Sequence, residues 1–289
     1  MKYFKLAICI SGEIRTAIET YPVFRNFFDG LDYDVFIHTW DSSGDRKYGI
    51  PTDQIPESPQ NIEEVRRLYK PKKIIVDSGL KTVPIPFATY YGMFYSMMVS
   101  NHLRNEYEIE NDCLYETVVK YRFDLVFPRD VKFPRYKTEK RVLYSPGGDQ
   151  GHVIPDCGNH GITDMIFWGD SQVMNIISDT FRYYKYVLMR DINNFISSGW
   201  HHLDINKSFQ SPGQILYRRA ADHNIRAKEA FLDNHSHIPW TILRTHHRHL
   251  DPFEDYQKIL ETIERKDPPI QKPDKENLHE SNIKHIRII

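Results

Sequence analysis

Cysteine is scarce in this chain: three residues in 289, at positions 9, 113 and 157. The count is odd and no two of them sit at a metal-ligand spacing. Neither a disulfide framework nor a cysteine-bound zinc site is therefore expected. Cys9 lies inside an apolar run and reads as a buried thiol. No stretch approaches the roughly 20 apolar residues of a membrane-spanning helix. Nor is a signal peptide visible. Lys2 and Lys5 lead into a run that ends at Ser11 and Gly12, short of the roughly 7–15 apolar residues such a segment needs. The expected setting is reducing and cytoplasmic. An excess of charge of one sign is also missing. With 38 Lys and Arg against 39 Asp and Glu, the net charge is −1, so neither nucleic acid nor a membrane surface is a predicted partner. The glycine signatures of a P-loop, a dinucleotide fold and a nucleophile elbow are absent too. That disfavours kinases, dinucleotide enzymes and serine hydrolases.

Aromatic residues are plentiful, with 18 Tyr and 16 Phe. They suit stacking on sugars or bases, although most are predicted to be core. At 40% hydrophobic and 27% charged, the composition is that of a soluble globular chain.

The N-terminal order is strand, glycine turn, helix. Phe4–Ile10 is an apolar run of the kind found in a buried parallel strand. Ser11-Gly12-Glu13-Ile14-Arg15-Thr16 follows, and then a helical stripe through Tyr21, Phe24 and Phe28. Gly12 permits close approach of the backbone to a ligand. A helix N-terminus supplies unpaired N–H groups to an anion, and Arg15 adds a charged donor. A plain tight turn with a surface arginine fits the same residues. Tyr33–Trp40 is a second strand, with His38, Trp40 and Asp41 towards its carboxyl end. Residues 41–61 form a long Pro-, Gly- and Ser-containing stretch suited to a lid. Asn61 is placed to cap a helix over 61–68, and Lys73–Asp77 is a third strand. The alternation predicts an α/β sheet with right-handed crossovers. Tyr90–Glu108 carries helical spacing, and within it Ser96 is a candidate ligand contact.

Thr117–Phe127 then reads as a central strand closed by Pro128. Arg122 and Asp124 are two apart, so on a strand they share a face. Two unlike charges on a buried strand either pair with each other or serve a ligand. In open α/β sheets, ligands bind outside the carboxyl ends of the strands. Further strands are predicted over 141–146, 162–170, 225–228 and 238–243, with a helix beginning at 172 behind a cap at Ser171 or Asp170 and helices over 181–200, 212–223 and 251–265. Asp164 is a second carboxylate in an apolar segment, and Asp149 and Asp156 lie in the loop between. Converging carboxylates suit a divalent cation holding a diphosphate. His246, His247 and His249 could supply an imidazole to it, or could be surface histidines.

Taken in order, these pieces resemble a GT-A type glycosyltransferase. They are most similar to a poorly characterised bacterial and phage branch that opens with Ser-Gly-x-x-Arg-Thr and continues Asp-Val-Phe-Ile-His-Thr-Trp. Here those segments are Ser11–Thr16 and Asp34–Trp40. The helix around Tyr95 and Ser96, the Arg122-Phe123-Asp124 segment and the Thr163–Ser171 stretch match as well. The resemblance covers about residues 4–230. Many members carry Asp-x-Asp where this chain has Arg122-x-Asp124.

What the resemblance implies is a Rossmann-like, mostly parallel sheet flanked by helices, with a mainly helical C-terminal part. The expected organisation is one catalytic domain over 1–265, with a nucleotide half to about 128, an acceptor half after it, and a polar tail over 266–289. The implied reaction moves a sugar from a nucleotide-diphosphate donor to a hydroxyl of a glycan or other acceptor. Ser11, Gly12, Arg15, His38, Trp40, Ser96 and Arg122 are the implied substrate contacts. Asp164 and Asp124 are the implied catalytic carboxylates, and either Asp124, His246 and His247 hold Mn2+ or Mg2+, or Arg122 itself neutralises the diphosphate and no metal is needed. A non-catalytic nucleotide- or glycan-binding protein and a nucleotidyltransferase are the alternatives.

Overall fold

The computed structural model describes residues 2–43, 58–59, 61–78, 88–135, 137–146, 162–183, 212–230, 241–242, 250–255 and 258–259. The N-terminal part runs β1 (Lys2–Ser11), α1 (Ala17–Phe27), β2 (Tyr33–Trp40), β3 (Ser42–Ser43), β4 (Ser58–Pro59), α2 (Ile62–Tyr69) and β5 (Lys73–Asp77). Then come α3 (Ala88–Glu110), β6 (Cys113–Tyr121), β7 (Leu125–Val126), β8 (Val142–Ser145), β9 (Phe167–Gly169) and α4 (Ser171–Ser178). α5 (Pro212–Asp222), β10 (Arg226–Glu229) and β11 (Thr241–Ile242) complete the described elements. None of the described helices is long and apolar enough to cross a membrane.

Seven strands form one sheet in the order β10-β8-β9-β6-β1-β2-β5. β1 pairs in parallel with β2 and with β6, β2 with β5, and β8 with β10. β9 alone among the described strands of this sheet runs antiparallel, against β6 and β8. The fold is thus an α/β fold with a mostly parallel sheet flanked by helices.

Alternation along the strands assigns the two faces. Leu6, Ile8 and Ile10 of β1 pack with Phe24, Phe27 and Phe28 of α1 and with Val65 and Tyr69 of α2. Ala7 and Cys9 face the opposite way, towards Phe94, Met97 and Leu103 of α3, Val173 and Met174 of α4, and Leu216 of α5. Burial on both faces explains why Leu6–Ile10 of β1 is apolar without a break. It also pushes the Cys9 thiol up to about 12, since a buried thiolate lacks water. Asn61 caps α2 by accepting from the Glu64 N–H at 3.1 Å, and Asp170 caps α4 through the Val173 N–H at 2.8 Å.

The structure shortens two of the predicted strands. The segment 117–127 is not one strand: β6 ends at Tyr121, Phe123 and Asp124 form a turn, and β7 restarts at Leu125 to pair with β11. Arg122 and Asp124 leave the ladder because each finds its partner in the other. Of 162–170 only Phe167–Gly169 is strand, and residues around Asp164 bend. Of 238–243 only Thr241–Ile242 falls within the described residues, and it is strand. Most of the helices expected over 181–200 and 251–265 falls outside the described residues, as do the tail, the 44–57 part of the lid stretch, Asp149 and Asp156.

Candidate active site

After β1 the chain continues to β2 and β5 on one side, and it returns to β6 on the other. Open α/β sheets bind ligands at such a reversal, in the crevice outside the carboxyl ends of the strands, here β1 and β6. Two loops meet there.

The loop after β1 carries Gly12 at φ +121° and Arg15 at φ +40°. Two left-handed positions so close together are a strained arrangement, of the kind that clusters at ligand sites. A Cβ built on Gly12 would meet no atom within 4 Å, so its bare backbone fronts open space. Ser11 is buried at the end of β1. The Arg15 Nε donates to Glu13 Oε2 at 2.9 Å.

The loop after β6 carries the ion pair. The Arg122 Nε and Nη2 donate to the two oxygens of Asp124 at 3.0 and 2.8 Å, a bidentate fork. Asp124 is buried, while the Arg122 side chain remains 21% exposed. Arg15 Nη1 lies 3.7 Å from Asp124 Oδ2, so one carboxylate ties both loops together. Thr20 of α1 adds a hydroxyl bond to the Phe123 carbonyl.

Lys120 is the residue that sequence reasoning missed. It is buried inside β6, with Nζ donating to the carbonyls of Asp164 and Met165. Burial lowers its pKa to about 7, partly offset by Asp164 and Asp124 and reinforced by Arg122. A lysine inside an apolar strand was the available signal. Its contacts pin the bend that holds Asp164 at the same edge. The Asp164 carboxylate accepts no hydrogen bond from the described residues, and Arg122 Nη1 touches Met165 Sδ at 3.0 Å. Sequence residues 15, 122, 124 and 164 thus come together at one crevice.

His38, Trp40 and Ser96 form a second group, at the ends of β2 and β5. His38 and Ser96 are fully buried and bonded to each other, Nδ1 to Oγ at 2.7 Å. His38 Nε2 lies 3.1 Å from Asp77 Oδ2, and the Tyr95 hydroxyl donates to that same oxygen at 2.9 Å. Burial keeps the His38 pKa low against the pull of Asp77, so the ring is neutral. Trp40 is buried and stacks on Tyr95. These three therefore face inward, towards one another and Asp77.

Among the described residues no group of three His, Cys, Asp or Glu side chains comes together to hold a metal. Asp124 offers one ligand, and a cation would have to displace Arg122 from one of its oxygens. His246, His247 and His249 lie outside the described residues.

No family model matches the chain, and no curated protein matches it. Among solved structures, a nucleoside-diphosphate-sugar pyrophosphorylase from Vibrio cholerae RC9 superposes with a TM-score of 0.36 at 10% identity, covering 88% of this chain and 98% of that one.

Proposed function

We propose that this protein is a nucleotide-sugar-dependent glycosyltransferase of the GT-A type, acting on a glycan or other hydroxyl acceptor. The observation that carries the reading is the junction at the strand-order reversal. Gly12 and Arg15 follow β1, Arg122 and Asp124 follow β6, and Arg15 lies 3.7 Å from Asp124. That combines an open backbone turn, two guanidinium groups and a carboxylate at the edge where a nucleotide diphosphate would sit.

In this reading Arg15 and Arg122 stabilise the departing diphosphate, because fixed charges aimed at developing charge lower the barrier most. The Asp164 carboxylate accepts no hydrogen bond from the described residues, which leaves it available to take the proton of the acceptor hydroxyl. Lys120 holds that segment in place through two backbone carbonyls. A divalent cation, Mn2+ or Mg2+, belongs to the proposal on charge grounds. Arg15 and Arg122 are balanced locally by Glu13 and Asp124, so little net positive charge remains for a diphosphate. Asp124 is the carboxylate placed to share it, with His246 and His247 as the remaining candidates. Bound at the junction, the cation would supply the charge the two arginines lack.

Product analysis tests the reading. Release of a free nucleoside diphosphate marks glycosyl transfer. Pyrophosphate marks a nucleotidyltransferase, and binding without release marks a non-catalytic nucleotide or glycan binder. A thermal-shift screen against nucleotide sugars with and without Mn2+ identifies the donor, since a ligand stabilises the state it binds.

A further inference from the structure

The relay Ser96–His38–Asp77, joined by Tyr95, has the bonding order of a catalytic triad but cannot act as one. Ser96 and His38 are both 0% exposed, so the hydroxyl is closed to any substrate. Its direction can be worked out. A carboxylate only accepts, so His38 carries its proton on Nε2 and donates it to Asp77. Nδ1 of the neutral ring then accepts from the Ser96 hydroxyl. Two donors, His38 and Tyr95, end on the same oxygen, Oδ2 of Asp77. The other oxygen, Oδ1, has no hydrogen-bond partner among the described residues, and the Asp77 side chain is 35% exposed. The Asp41 N–H fixes the Asp77 backbone carbonyl at 2.9 Å.

Two buried groups, His38 and Ser96, and the half-buried Tyr95 thus hold one half-exposed carboxylate in a single orientation. Asp77 is the last residue of β5, in register with Trp40 at the end of β2. It therefore stands at the same sheet edge as Gly12 and Arg15. β5 lies two strands from β1, about 10 Å at the usual 4.7–4.9 Å spacing. That displacement is sideways along the sheet edge from the proposed diphosphate position, and is comparable to the length of a nucleoside.

We infer that Asp77 is a nucleotide-binding residue, whose Oδ1 accepts a hydrogen bond from a hydroxyl of the ribose, and that His38, Tyr95 and Ser96 are its positioning residues. The inference rests on the nucleotide-sugar reading above and adds to it the part of the ligand that this second group touches. A hydroxyl of the transferred sugar offers the same chemistry, so the test uses nucleotides without a sugar.

The experiment is calorimetric titration of the full chain with UDP, GDP, CDP and ADP. The tightest binder is then compared with its 2′-deoxy and 3′-deoxy forms in wild type, Asp77→Asn and Tyr95→Phe. In wild type, removing the contacted hydroxyl should weaken binding about ten- to a hundredfold, the effect of a hydrogen bond to a charged group. Asp77→Asn should weaken the ribonucleotide similarly and leave the deoxynucleotide almost unchanged, with Tyr95→Phe intermediate. Equal wild-type affinities for the ribo and both deoxy forms overturn the assignment without any variant, and leave nucleotide binding standing. A deoxy effect that is undiminished in Asp77→Asn also overturns it, by giving the ribose hydroxyl to another residue. Failure of all four nucleotides to bind overturns it together with the nucleotide-sugar reading.

Discussion

Arg15 Nη1 stands 3.7 Å from the Asp124 carboxylate, which Arg122 already grips with two bonds. One buried acid thus organises two cations from loops that are far apart in sequence. Removing either kind of partner has a different consequence, and the difference separates structure from chemistry.

Asp124→Ala leaves Arg122 without its bidentate partner. Breaking a buried pair by removing one member costs about 3–5 kcal/mol. Arg122 keeps a 21% exposed side chain, so the expected loss is smaller, on the order of 1–3 kcal/mol. The chain stays folded and transfer is abolished. Urea unfolding and a transfer assay on the same preparation check this. The double variant Arg122→Met/Asp124→Ala should recover part of the stability and none of the transfer. A folded and active Asp124→Ala protein would remove Asp124 from the site.

At Gly12 the expectation is almost the reverse, a small change in packing with a large change in binding. A Cβ would meet nothing within 4 Å, but φ is +121°. A side chain there therefore strains the backbone, by about 1–3 kcal/mol, and projects towards the crevice. Gly12→Val should weaken binding of a donor nucleotide far more than that of an acceptor. Titrations of the two ligands compare them, and equal losses would move the nucleotide away from this turn.

The apolar strands were legible because β1 and β2, buried on both faces along most of their length, need no alternation, and they and the edge strand β5 lie close to where the periodicity puts them. Capping chemistry located α2 and α4 for an equally local reason. The reversal of β9 left no local trace, since three residues of Phe167-Trp168-Gly169 look the same in either direction. Sideways relationships were also hidden. His38 was singled out at the end of its strand, but its partners Asp77 and Ser96 come from β5 and α3. The Arg104–Glu108–Ser171 network buried between α3 and α4 is a further case. On a helix pattern Arg104 and Glu108 read as an ordinary surface pair four residues apart.

Lys120 makes a prediction about pH. Its folded pKa is about 7, against roughly 10.4 in an unfolded chain. Between those values the unfolded state binds more protons, so stability rises with pH. The cost is absent above about 10.4, grows as pH falls, and levels off below about 7. The slope contributed by this one group approaches 1.4 kcal/mol per pH unit. Urea midpoints between pH 7 and 9 should therefore climb in wild type. Lys120→Met loses the bonds to Asp164 and Met165 at every pH, and its midpoints should climb less steeply. Parallel curves for the two proteins would mean that Lys120 is protonated throughout.

The proposed metal follows from the charge that remains after pairing. Arg122 is tied to Asp124, and Arg15 is shared between Glu13 and Asp124. A diphosphate arriving at this junction would meet two cations whose charge two carboxylates already balance. Each fixed charge aimed at a leaving group is worth about 2.7–4 kcal/mol of barrier, so a site at local neutrality forgoes most of that stabilisation. A divalent cation restores it, and Asp124 is the acid at hand. Transfer should then be lost in excess chelator and restored by Mn2+ or Mg2+, with His246→Ala or His247→Ala raising the metal concentration needed. The alternative is that the incoming diphosphate itself pulls Arg15 and Arg122 away from the carboxylates. In that case transfer runs at full rate in chelator, and Arg122→Met alone abolishes it. The two outcomes are opposite in the same assay.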